Sequence, residues 1–79
     1  MIIYLGKEYF PKNLVYLRKK YALSRRALSR LSGIPEYQIK WIEEGGFYPE
    51  ITSVSLRRLR QIFHLETEDL MDKDLSTDT

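Results

Sequence analysis

The chain has no cysteine. Neither a disulfide framework nor a thiolate metal site is open to it, which fits a reducing, cytoplasmic setting. Its single histidine, His64, has no cysteine or second histidine with which to share a metal. No apolar run approaches the roughly 20 residues of a membrane span. Residues 1–5, Met-Ile-Ile-Tyr-Leu, are too short for the apolar region of a signal peptide and follow no basic stretch. There is no glycine-rich phosphate loop, no metal-spaced cluster and no evident Ser/His/acid set. A chain of 79 residues has room for one core, but not for a second domain or a spacious cleft. These absences argue against an enzyme, a cofactor and a membrane partner.

What is present is charge, unevenly spread. Charged residues make up 30% of the chain and hydrophobic residues 43%, a balance suited to a compact soluble domain. Residues 1–60 carry twelve of the thirteen Lys/Arg and five acids, a net +7; residues 61–79 carry Lys73 against six acids, a net −5. Such a split suggests a basic working surface and an acidic tail, although a solvated helix face followed by a solubilising tail would carry the same charge.

The apolar pattern predicts five short helices. Residues 1–10 read as an extended arm, because residues 2–5 are rich in strand formers, and the arm is expected to pack on the body. Pro11 suits a helix start, and Leu14, Leu17 and Tyr21 follow at helical spacing over 11–21. Arg18, Lys19 and Lys20 fall in its last turn, where cations oppose the dipole. Ser24 is a natural N-cap for a second helix, with Ala27, Leu28 and Leu31 as its inner face and Gly33 as its left-handed stop. Pro35 opens a third helix over about 35–44, with Ile39 and Ile42 inward and Gly45-Gly46 ending it. A loop with Phe47 and Tyr48 follows. Thr52 or Ser53 caps a fourth helix carrying Leu56, Leu59, Ile62 and Phe63 inward. Thr67 caps a short fifth, from which Leu70 and Met71 dock back. Residues 11–73 thus form an all-α domain, and the tail 74–79 has little to bury and is expected to be disordered.

The residues Leu17-Arg18, Leu23-Ser24, Ala27-Leu28, Gly33-Ile34, Ile39 and Ile42-Glu43-Glu44-Gly45 together resemble the Cro/CI-type helix-turn-helix, also called the XRE family. The likeness covers roughly 12–71. It implies a five-helix, lambda-repressor-like domain whose third helix enters the major groove. It also implies that the start of the second helix, from Ser24, and the loop before the fourth touch backbone phosphates, and that two copies read two half-sites. Finally, it implies an ion pair from Arg18 to Glu43 that ties the first helix to the end of the third. The chain departs from the family pattern at Arg25, Pro35 and Trp41.

The side chains agree with such a role. Arg25 and Arg26 stand at the start of the second helix, where positive charge opposes the dipole and a phosphate would reverse the sign. The outward set of the third helix is Glu36, Tyr37, Gln38, Lys40 and Trp41. Gln pairs with adenine N6/N7, Lys with guanine O6/N7, and Glu accepts from cytosine N4. Tyr37 and Trp41 can pack on sugars or a thymine methyl. Trp41 can equally fold back over the core or line a dimer seam. Tyr48 can donate to a phosphate oxygen or pack inward. Arg57 can extend the phosphate track or remain on a solvated face.

The expectation is a sequence-specific double-stranded DNA-binding regulator, a dimeric repressor needing no cofactor or metal. A second reading stands beside it: a protein-interaction or antitoxin-like module on the same fold with weak or no DNA reading, motivated by Trp41, Tyr37 and the apolar arm.

Overall fold

Phe10, Leu14 and Leu17 recur at helical spacing, and each is buried. They lie on α1 (Phe10–Lys20), the helix against which the rest of the core closes. The computed structural model describes residues 1–45 and 50–77. Along these the order is β1 (Ile2–Tyr4), α1, α2 (Arg25–Ser32), α3 (Glu36–Glu43), β2 (Glu50–Thr52), α4 (Ser53–Phe63), α5 (Thr67–Met71) and a 3-10 turn at Leu75–Thr77. Among the described residues the molecule is therefore mostly helical, with five α-helices. None is long and apolar enough to cross a membrane.

Helix ends follow the local chemistry. Ser24 caps α2, its Oγ accepting from the Ala27 N–H at 3.0 Å. Gly33 closes α2 at φ +80°, the left-handed region that costs glycine nothing. Thr52, of the two candidate caps, is the one that caps α4, its Oγ1 accepting from the Ser55 N–H at 3.1 Å. His64 ends α4 at φ +56°. α5 is capped one residue earlier than its composition suggests. Glu66 is the N-cap, and its N–H donates to Asp69 Oδ2 at 3.1 Å. Leu70 of α5 is buried and Met71 half-buried, as the pattern predicts.

Three expectations change. First, the all-α picture gains a small sheet. β1 pairs antiparallel with β2 in the register Ile2↔Thr52, Ile3↔Ile51 and Tyr4↔Glu50. The strand formers of the arm find their partner 48 residues further on, and Ile51 is buried beneath them. Second, residues 74–77 are placed on α1; residues 78–79 of the expected tail lie outside the described residues. The buried Asn13 explains the placement: its Nδ2 donates to the carbonyls of Leu70 (2.9 Å) and Lys73 (2.6 Å), and its Oδ1 accepts from the Leu75 N–H (2.9 Å). One side chain thus satisfies the end of α5 and the chain that follows. Third, Leu31 is not part of the inner face of α2; it is 50% exposed. The buried line of α2 runs through half-buried Arg25 to Leu28 and Ser32, rotated away from Leu31. Ser32 Oγ accepts from the Ile34 N–H at 3.1 Å and shapes the turn into α3.

Candidate functional site

Pro35 is the N-cap of α3, and its φ of −56° suits a helix entrance. The inner face of α3 is Ile39 and Ile42, both buried. Burying two such side chains is worth roughly 1.5–3 kcal/mol each, and it fixes which face turns outward. The outward face carries Glu36, Tyr37, Lys40 and Trp41, all exposed. Tyr37 is 61% and Trp41 56% exposed, so Trp41 does not fold back over the core. The two rings pack on each other one helical turn apart, edge to face, with centroids 5.3 Å apart and an interplanar angle of 79°.

Both halves of α3 are tied down. Gln38 Nε2 donates to the Glu50 carbonyl at 2.6 Å, joining α3 to β2. A residue predicted to read bases is therefore already engaged through its amide nitrogen. At the other end Glu43, whose side chain is 2% exposed, gathers two guanidinium groups. Its Oε2 accepts from Arg18 Nε at 2.6 Å. Its Oε1 accepts from Arg18 Nη2 at 3.0 Å and from Arg25 Nε at 2.9 Å. Arg18 Nη1 also donates to the Leu23 carbonyl at 3.0 Å, holding the loop between α1 and α2. The Arg18–Glu43 pair is present as foreseen, with Arg25 as an additional member. One carboxylate links three helices.

The electrostatics of this cluster follow from its geometry. Burial on its own raises the Glu43 carboxyl. The hydrogen bonds from Arg18 and then Arg25, with their charges, outweigh burial and leave the group below its ordinary range. The Glu43 hydrogen bond raises the Arg18 guanidinium above its ordinary value, against the opposing effect of burial.

The arginines lie on the elements next to α3. Arg25 uses only Nε on Glu43; among the described residues its two Nη groups take no hydrogen bond. Arg26 and Arg30 flank a shallow groove floored by Ala27 and Leu31, with Ser24 at its end. Arg57 borders a different groove, shared with Arg60, Gln61, His64, Leu65 and Glu66. The α4 arginine that reaches the α2–α3 turn is instead Arg58. A Cβ built on Gly33 would lie 2.9 Å from its Nη1. The two arginines are one residue, or 100°, apart on the helix, and a basic run alone does not say which faces the turn. Tyr48 and Phe47 lie outside the described residues, as does Gly46. Gly45 follows α3 at φ +76°.

No protein-family model matches this chain, and neither a curated protein nor a solved structure matches it.

The site is thus defined by its own residues. A small cleft of about 150 Å³ runs beside the start of α3, between the α2–α3 turn, Gln38, β2 and Ser55, with Ile2 of β1 at its edge. The arm therefore reaches the start of α3 beside Pro35 and Gln38, which its composition alone does not reveal. Among the described residues no group of three or more His, Asp or Glu is placed to hold a metal. The arrangement presents a rigid helix with two aromatic rings and a lysine outward, and arginines from two neighbouring helices beside it.

Proposed function

We propose that this protein is a sequence-specific double-stranded DNA-binding regulator of the Cro/CI helix-turn-helix kind, acting as a dimeric repressor. The observation that carries the reading is the presentation of α3: inner face buried, outer face exposed, and both halves fastened to neighbouring elements. A helix held in this way can be delivered to a major groove as a rigid reader. The α2–turn–α3 unit, with Gly33 left-handed and Ile34 buried behind the turn, agrees with it. Ser24, Arg25 and Arg26 at the start of α2 supply phosphate contacts. Arg25 is held by Glu43 on one edge and offers its Nη groups on the other. Arg58 adds a cation over the turn. Repression follows from occupancy, since a dimer covering a promoter excludes polymerase.

A mobility-shift titration of a verified dimer over several salt concentrations tests the reading. Affinity should fall steeply with salt as phosphate contacts release counterions. Arg26→Ala should lower the slope by about one without changing the preferred sequence. Arg25→Ala should do the same and also destabilise the fold, because it removes one partner from Glu43. Binding that is absent, or indifferent to salt, refutes the reading. It would favour the second one, a protein-interaction module docking through the exposed Tyr37–Trp41 pair.

A further inference from the structure

We propose that the Tyr37–Trp41 pair selects thymine by its C5-methyl group, so that this chain reads its DNA largely through apolar contact rather than hydrogen bonds. The inference rests on the DNA reading above and names what α3 recognises. The first observation is the withdrawal of Gln38. The usual adenine reader presents its carboxamide oxygen and an N–H together, and here one of the two N–H donors is given to the Glu50 carbonyl at 2.6 Å, which fastens the carboxamide toward β2. Glu36 and Lys40 remain as polar groups, of opposite charge, and they flank the rings.

The second observation is the rings themselves. They are the largest apolar surface on the outward face, at 61% and 56% exposure. Their edge-to-face packing at 5.3 Å fixes each relative to the other, so little side-chain freedom remains to be lost on binding. In the floor of the major groove the thymine methyl is the apolar feature that a base edge offers. The occupant is DNA rather than an apolar protein surface because of the surrounding charge. Arg25, Arg26 and Arg58 frame the α2–turn–α3 unit, and residues 1–60 carry a net +7. An apolar pair carried on the same helix-turn-helix unit as these cations complements a methyl-bearing groove between phosphate rails.

The test needs no change to the protein. Half-sites are first selected from random duplexes with the full-length chain. Each thymine is then replaced by deoxyuridine, which removes the methyl and keeps the base pair. At the thymines under α3 each replacement should weaken binding about three- to fivefold, the equivalent of one buried methyl group. Elsewhere it should have no effect. In Tyr37→Ala and Trp41→Ala, whose rings are exposed and whose removal leaves the core intact, the deoxyuridine penalty should disappear at the thymine each ring covers. Selected sites that bind equally well with every thymine replaced overturn the thymine reading and leave DNA binding standing. A penalty that persists in both variants overturns its assignment to these rings. Failure to enrich any sequence, together with salt-indifferent binding, overturns the DNA reading and this inference with it.

Discussion

Replacing Glu43 by glutamine keeps the shape of the side chain and removes the charge that holds three helices together. In the native protein two guanidinium groups donate three hydrogen bonds to this one buried carboxylate. Glutamine has a single acceptor oxygen. Its best placement is the Oε1 position, where it keeps Arg18 Nη2 and Arg25 Nε. The amide nitrogen then faces Arg18 Nε, donor against donor, at a site where the bond is now 2.6 Å. Two cations are left in a largely dry cluster with no counter-charge. Breaking a buried pair from one side typically costs about 3–5 kcal/mol. Because Arg25 retains 34% side-chain exposure, we take the lower end, about 3 kcal/mol. A domain of this length has roughly 4–12 kcal/mol of stability, so the loss is a large share of it. At about 4–8 °C per kcal/mol, the melting temperature should fall by roughly 12–24 °C. Urea and thermal melts followed by circular dichroism at pH 7 measure this directly. A loss below about 1 kcal/mol, the range of an exposed pair, would refute the claim that the cluster is a brace.

The same variant carries a pH signature. The Glu43 carboxyl lies below its ordinary value of 4.5 in the folded protein. A depressed acid stabilises fully above its unfolded pKa, and the contribution is lost as pH falls through the native pKa. The gap in stability between the native chain and Glu43→Gln should therefore be constant above about pH 5 and close as the pH is lowered further. A gap that stays the same down to pH 3 would show that the charge contributes nothing.

Two further perturbations test the fold around the site. Asn13→Ala removes the partners of two carbonyls and one N–H at the end of the chain, and should cost about 2–3 kcal/mol in urea unfolding while speeding hydrogen exchange at Leu75. Gly33→Ala should cost only about 1 kcal/mol, because the added Cβ meets the mobile end of Arg58 and the left-handed backbone supplies most of the penalty; calorimetry that shows no loss would mean the turn relaxes out of that conformation.

The helices were legible in the sequence because their signals are local. Ser24, Gly33, Pro35 and the spacing of Ile39 and Ile42 mark boundaries within a few residues of where they act. The pairing of β1 with β2 was not legible. Residues 2–5 announce a strand but not its partner, since antiparallel register between segments 48 residues apart leaves no short-range trace. Asn13 is a polar residue on α1, and nothing nearby in the sequence signals that it satisfies chain ends 57 to 62 residues away. Leu31 misled for a related reason. Hydrophobicity alone points it inward, whereas the face of α2 that is buried runs through Leu28 and Ser32, with Arg25 on Glu43 along the same line. Which of two neighbouring leucines turns inward is set by the contacts of the whole helix, and these are long-range.

In the proposed complex, that rotation and the two ties on α3 together separate affinity from specificity. Ile39 and Ile42 are committed to the core, Gln38 to β2 and Glu43 to the arginine cluster, which leaves Glu36, Tyr37, Lys40 and Trp41 to meet a ligand. The arginines of α2 and α4 stand outside this set and have no means of telling one base from another through phosphate contact. In the proposed complex, then, changes at Arg26 or Arg58 act on the salt dependence and leave the preferred sequence alone. Changes at Tyr37 or Trp41 alter the preferred sequence and leave the salt dependence nearly untouched, because neither ring displaces a counterion. A helix free to shift would blur this division, since losing a phosphate contact would also move the rings relative to the bases. The division is sharp here because α3 is held by hydrogen bonds to β2, α1 and α2, and not by the ligand.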